Sequence, residues 1–581
     1  MNRNTEMHFS QLPTLEISRS KFNMGHTHIT TANASELVPC YVDCDIVPGD
    51  TVTMRQSEII RMMTPIAPVM DNAFMDFYWF FIPNRLLWTN WKQCMGENET
   101  APWTQTVEKV VPQISMRNDQ QNTISGKTYL TRTVEKGSVL DHMGIPIQND
   151  WTYVSGGNKE IEITSLPTKA YVLCWNEFFR DENLQNPCTI TKTDTEGTLV
   201  NTKHTAYQND ADACTVTNEQ WGGLPCLKVC KPHDYFTSCL PGAQKSAPAT
   251  LPMNGTAPIK GKVVSSGSGQ DLFDGVKPYF DSLGITIDHT EHDLLHGRYE
   301  VNQQTGPVDL DDGETLQDLY ADLTLATGAT ITQLRQAFAI QKFYERDARG
   351  GTRYIESIWA HFRVRNPDYR LQRPEYLGGF RQNINMNQVV QNSPTVESST
   401  PLGTTGAYSI TSHQSNDVFS HSFTEHGILL GLFCIRTEHT YCQGINRMWF
   451  KKKRLDFYSP EFANLSEQAV LNQEIYAQGT STDKEAFGYQ ECWAEMRYKP
   501  NICSAEMSLK LSDSLGATWT YADKYESKPT LGDKWIQETD ANLQRTLAVQ
   551  DHDQFLLDFY FDPIYTRPLP LYSVPGLIDH H

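Results

Sequence analysis

Nowhere in this 581-residue chain is there a run of about 18 apolar residues, the length a membrane-spanning helix needs. The opening "MNRNTEMHFSQLPTLEISRSKF" also lacks the apolar centre of a secretory leader, so neither secretion nor membrane insertion is expected. Basic residues are in the minority. Against 69 Asp and Glu stand 49 Lys and Arg, a formal net charge of -20, which argues against wholesale coating of nucleic acid but leaves room for a local basic patch. The motifs of common hydrolytic and phosphoryl-transfer chemistry are missing too: no Gly-x-Ser-x-Gly elbow, no Gly-x-x-x-x-Gly-Lys loop, no His-Glu-x-x-His pair. No catalytic residue can be named, and an enzyme is not expected.

Cysteine is sparse for a disulfide-built protein. The 13 cysteines are an odd number on a long chain, a pattern that fits free thiols in a reducing compartment better than a secreted framework. "CLKVCKPHDYFTSC" gathers Cys226, Cys230, His233 and Cys239, all zinc-ligand types, but the second pair is irregularly spaced and ordinary half-buried thiols are expected. "DLDDGETLQDLYAD" fails as a calcium loop. With Gly313 at the obligatory sixth position, Val308, Leu310 and Leu319 fall where ligands are required. No metal and no other cofactor is expected.

What the chain does contain is 11% aromatic residues, 30 Pro and 36 Gly beside a modest 39% hydrophobic content, the composition of short strands joined by many turns. A mainly β fold follows. Strand signals cluster at both ends, in "FMDFYWFFIP" near the start, which should lie between two layers, and in "FTEHGILLGLFCIRTEH" and "QFLLDFYFDPIYTRPLPLY" late in the chain. Helical stripes lie between them, Ala170, Leu173, Cys174 and Phe178 in one and Ile331, Leu334 and Phe338 in another, with Gly350-Gly351 ending the second. These signals divide the chain into an extended arm over 1–45, the first part of a β core over 46–186, an inserted surface subdomain over 187–310, and helical loops with the remaining strands over 311–581.

Charge is unevenly placed. Residues 346–381 carry eight Arg and no Lys, a usage suited to interfaces because the planar guanidinium pairs bidentately and stacks. "RMWFKKKRLDFYSP" sets Lys451, Lys452, Lys453 and Arg454 side by side, with Trp449, Phe450 and Phe457 as flanking platforms for bases. These four cations, with Arg19 and Lys21 of the basic "SRSKF", are the candidates for facing nucleic acid or a neighbouring subunit.

Seven blocks carry a resemblance over nearly the whole chain: "SRSKFNMGHTHITT", "VPGDT", "IPNRLLWTNW", "RNPDYRLQRPEYLGG", "RLDFYSPEFANLSEQAVLNQEIYAQG", "FGYQECWAEMRYKP" and "YSVPGLIDHH", in this order. The chain resembles the major capsid proteins of gokushoviruses, a branch of the microviruses, small tailless phages with single-stranded DNA. The resemblance implies a viral jelly-roll β-sandwich with long loop insertions and a few short helices, self-assembly into a small icosahedral shell around circular single-stranded DNA, and a three-fold protrusion placed at 187–310. It also implies an internal scaffolding protein, a minor DNA pilot protein, a small basic DNA-binding protein and a host-cell surface receptor as partners. The expected location is the virion, after assembly in the host bacterial cytoplasm. Within the "RNPDYRLQRPEYLGG" block, Arg365, Arg370 and Arg373 become candidates for loop geometry or subunit contacts. A receptor- or glycan-binding β-sandwich surface protein is the alternative reading.

Overall fold

A computed structural model describes residues 18–97, 109–116, 121–124, 127–130, 136–147, 161–190, 225–246, 331–351, 353–390 and 402–572. It also describes the single positions 134, 192, 193 and 392 and the isolated strands Thr215–Val216, Ile259–Ser265, Thr286–Asp288, Glu300–Asn302 and Glu314–Ala321.

Alternation in the sequence builds one sheet. Thr51–Met62 (β4) buries every second residue, Val52, Met54, Gln56, Glu58, Ile60 and Met62. The last strand among the described residues does the same with Phe555, Leu557, Phe559, Phe561 and Tyr565. This last strand, Phe555–Arg567 (β9), lies between β4 on one side and Ser20–Asn23 (β1) and His26–Ala32 (β2) on the other. Thr411–Ser422 (β7) completes the sheet beyond β4, and every pairing is antiparallel.

The second sheet is antiparallel as well, in the order Glu375–Ile384 (β6), Ala73–Pro83 (β5), Gly427–Thr437 (β8) and Val38–Ile46 (β3). Its two central strands are buried on both faces, as the unbroken apolar run of β5 requires. Inward, Trp79 meets Phe561 edge-on at 5.7 Å and Phe433 meets Phe559 at 5.0 Å, which locks one sheet onto the other. Outward, Phe80 and Tyr78 are covered by Phe178 and Phe179 at 4.8 and 5.0 Å, from the wide turn Trp175–Phe179 that follows the helix Leu166–Cys174 (α1). At Gly431 a Cβ would stand 2.9 Å from Tyr41 Cβ and 3.1 Å from the Trp79 ring, so only glycine lets these strands and rings pack so closely.

Two stretches of sequence look different in three dimensions. Residues 1–17 lie outside the described residues, but within the 1–45 arm the chain from Ser20 onward forms β1 and β2, which order against β9, and β3, which pairs with β8. Of the span 187–310, residues 225–243 pack with the main unit, where Cys226, Leu227 and Val229 join the sandwich core. Residues 194–214 and 217–224 lie outside the described residues.

The chain divides into a main unit, Met1–Ala243 with Asp347–His581, and a small unit, Gln244–Arg346. The small unit contains the antiparallel pairs Ile259–Ser265 with Glu314–Ala321 and Thr286–Asp288 with Glu300–Asn302. Helix Ile331–Gly350 (α2) ends at the glycine pair, Gly351 taking a φ of +92°, and Tyr354–Phe362 (α3) follows. The stripe marked by Ile331 and Phe338 is exposed in the single chain.

Candidate assembly and nucleic-acid surfaces

Residues 443–502 form a lobe of short turns and one hairpin, Glu467–Leu471 with Ala486–Glu491. Its apolar side, Val470, Ile475, Phe487 and Ala494, joins Tyr235, Phe236, Trp535 and Ile536 in a second hydrophobic cluster. Its other side carries the basic run. The first turn, Arg447–Phe450, is capped by the Asn446 side chain, which accepts from Met448 N at 3.0 Å. Asp456 accepts from the backbone N–H groups of Lys452 and Lys453 at 2.8 and 2.7 Å, which holds its carboxyl below the usual carboxylate range and folds the run back on itself.

The four adjacent cations are not equivalent. Lys451 turns inward, its Nζ 3.5 Å from Glu495 and 5.7 Å from the Trp493 ring centre. Lys452, Lys453 and Arg454 are exposed, and their side chains form no ion pair among the described residues. Trp449, Leu455, Phe457 and Tyr458 stand exposed next to them in sequence, and Leu455 also lines a groove of about 540 Å³ with Phe450, Lys451, Trp493 and Glu495. The lobe therefore presents three free cations interleaved with aromatic faces, a surface suited to a single-stranded polyanion. Arg19 and Lys21 are exposed too, but they belong to the β1 segment of the sandwich.

The arginine block also separates into two sets. Arg373 is buried, its guanidinium 4.2 Å above Phe178, donating to the Glu177 carbonyl at 3.0 Å and paired with Asp368 at 3.5 Å, so its contacts fix the loop within the chain. Arg353 ties Glu182, Glu356 and the carbonyls of Asn176 and Arg180 together in the same way. By contrast, Arg365 and Arg370 are exposed. Arg365 and Arg363 lie over Trp359 at 5.0 and 5.7 Å, with Tyr354, Phe362 and Tyr369 exposed nearby in sequence. Exposed aromatics backed by stacked guanidinium groups have the composition of an interface centre.

Several charged groups escaped the sequence reading because their partners are remote in the chain. Buried Asp523 accepts from Asn542 and Tyr525 at 2.8 Å each and stands 3.1 Å from His439 and 3.3 Å from Lys231. Burial alone would raise this carboxyl; the charges of Lys231 and His439 outweigh it and hold the group well below its usual range. Asp76 pairs with Arg381 at 2.6 Å and with Arg436. On β4, burial pushes Glu58 up to about 8, and His413 Nδ1 lies 2.6 Å from its carboxyl.

Among the described residues nine cysteines are thiols outside any disulfide, while Cys442 and Cys503 are joined in a disulfide and Cys188 is disulfide-bonded as well. The expectation of thiols throughout is corrected by these positions, which sequence spacing alone does not bring together. Cys226 packs in the sandwich core, whereas Cys230 and Cys239 sit in the second cluster. Among the described residues no group of three or more His, Cys, Asp or Glu is placed to hold a metal ion. No helix among them is long and apolar enough to cross a membrane.

The family described as "Capsid protein (F protein)" matches residues 10–577. The chain belongs to this capsid-protein family. It is 37% identical over 583 residues to capsid protein VP1 of Spiroplasma virus 4, covering 99% of this chain and 98% of the relative. Identity to capsid protein VP1 of Bdellovibrio phage phiMH2K is 36% over 584 residues, with the same coverage. Capsid protein VP1 of Chlamydia phage 1 is 33% identical over 613 residues, covering 98% of this chain and 97% of the relative. These relatives are of the gokushovirus type that the sequence blocks resemble. Membership in the capsid family and the two-sheet antiparallel sandwich agree with the mainly β viral capsid fold expected from composition and blocks.

Proposed function

We propose that this chain is the major subunit of a closed icosahedral shell around circular single-stranded DNA. The reading is carried by the family match over almost the whole length, on a sandwich rigid enough to act as a repeated tile. Its work is association and enclosure, with no reaction to catalyse. Arg365, Arg370 and the aromatic surface around Trp359 form subunit contacts. Lys452, Lys453 and Arg454, with Arg19 and Lys21, face the genome, and many weak phosphate contacts on one inner surface add through effective concentration. Assembly takes place in the host cytoplasm with an internal scaffolding protein, a DNA pilot protein and a small basic DNA-binding protein, and the finished virion meets a receptor on the host surface.

The test is electron microscopy of the chain co-expressed with its scaffolding protein. Closed isometric shells are the expected product, and persistent monomers overturn the proposal. Arg365→Ala with Arg370→Ala should lower shell yield in sedimentation while the unassembled chain keeps its circular dichroism; unchanged yield removes these residues from the contact.

A further inference from the structure

Cys442 and Cys503 stand at the neck of the 443–502 lobe. Each directly follows one of two short parallel strands, Thr440–Tyr441 and Asn501–Ile502, and their Cα atoms are 5.1 Å apart. The bond closes a loop with a sequence separation of 61, and that loop contains the whole basic and aromatic surface together with its groove. Both cysteines are half-buried, open enough for thiol exchange, whereas Cys40, Cys174, Cys230, Cys239, Cys434 and Cys492 are free and buried. The neck also has non-covalent ties: Gln443 donates to the Tyr525 carbonyl at 2.8 Å, and Tyr235 hydroxyl donates to Glu474 at 2.9 Å. The lobe therefore has a fold to hold before the sulfurs are joined.

We propose that Cys442 and Cys503 are an oxidative latch, reduced while subunits assemble inside the cell and joined after release, a role that rests on the capsid reading above. The oxidant is a low-molecular-weight disulfide of the surrounding medium. One cysteine, as its thiolate, attacks that disulfide and expels one small thiol; the second then attacks the mixed disulfide and expels the other. Two protein thiols lose two protons and two electrons, and the small disulfide is reduced to two thiols. Closing a loop of this length favours the held lobe by roughly a thousandfold at most over the opened one. Flexibility at the neck is thus available during assembly and withdrawn in the extracellular particle.

The test compares particles from cells quenched with N-ethylmaleimide before lysis with particles held in aerated medium containing glutathione disulfide. Peptide mapping without reductant should find Cys442 and Cys503 alkylated in the first sample and linked in the second. Exposed Cys44 serves as the labelling control. Limited proteolysis within 443–502 should be slower in the linked sample by about tenfold or more, and a phosphine reductant should restore the fast rate. In a Cys442→Ser, Cys503→Ser chain the fast rate should be independent of redox state; should that chain fail to fold, reductant on the natural chain still decides. A link already complete in quenched cells, a link that never forms, or cleavage indifferent to the link each overturns the latch. Absence of closed shells in every sample, the natural chain included, overturns the capsid reading instead, and mapping and cleavage on the unassembled chain still test the latch.

Discussion

Phe559 and Trp449 are both large aromatic residues in aromatic-rich segments, yet Phe559 has no exposed surface and Trp449 leaves 72% of its surface in solvent. The sandwich that holds Phe559 satisfies itself: inward residues alternate, rings from the two sheets touch, and neighbouring strands take up the backbone hydrogen bonds. The 443–502 lobe is built on short turns, buries only its rear face, and leaves aromatics and cations pointing away from the subunit. Isolated chains of a monomeric protein rarely keep so much apolar surface open. The contrast teaches where the subunit is complete and where it awaits a partner.

The comparison breaks most readily at Phe559. Phe559→Ala should cost about 3–5 kcal/mol, because it removes a fully buried ring that touches Phe77, Phe433 and Phe561. Urea denaturation measures this loss, and a loss below about 1 kcal/mol would mean that the sandwich is not the stability core. Trp449→Ala in the same assay should shift stability by no more than about 0.5 kcal/mol.

Glu58 gives a smaller, pH-dependent test. Its carboxyl is raised to about 8 by burial, so the native chain holds a proton that the unfolded chain releases near its ordinary value of about 4.3. That contribution to stability is full below the unfolded value and is lost as pH rises through about 8. Between pH 5 and 9 the natural chain should lose roughly 4 kcal/mol from this group, and Glu58→Gln should flatten the curve. An unaltered pH profile in the variant would assign the slope elsewhere.

The smallest effect on folding, and the sharpest on function, belongs to Lys452→Ala with Lys453→Ala. Stability should move by less than about 0.5 kcal/mol. The salt dependence of single-stranded DNA binding should weaken by about 0.7 in slope per lysine. Loss of shells with unchanged DNA affinity would move these lysines from the genome face to a seam. Lys451→Ala should instead disturb the turn that Glu495 and Trp493 support.

Much of the sandwich is legible in the sequence because its rules are local. Alternation marks β9, an unbroken apolar run marks β5, and the stripe through Ala170, Leu173 and Cys174 marks α1. Pairing is a long-range matter: nothing in "SRSKF" announces that it lies against residues 565–567. The basic run could be found from composition, but the inward turn of Lys451 depends on Glu495, and the burial of Arg373 depends on Phe178. The Asp523 cluster draws on positions 231, 439 and 542, and the disulfide spans a whole lobe, so spacing rules see neither. For α2, periodicity discloses a helix and an apolar stripe but is silent about what covers it.

Strand β9 lies late in the chain and at the centre of its sheet, flanked by β1 and β2 on one side and β4 on the other. A chain stopped anywhere before residue 555 leaves β1 and β2 with no strand beside them, β4 paired only with β7, and a core open along its middle. Synthesis through β9 thus becomes a checkpoint: a polypeptide that stops short of this strand lacks the centre of its own sheet.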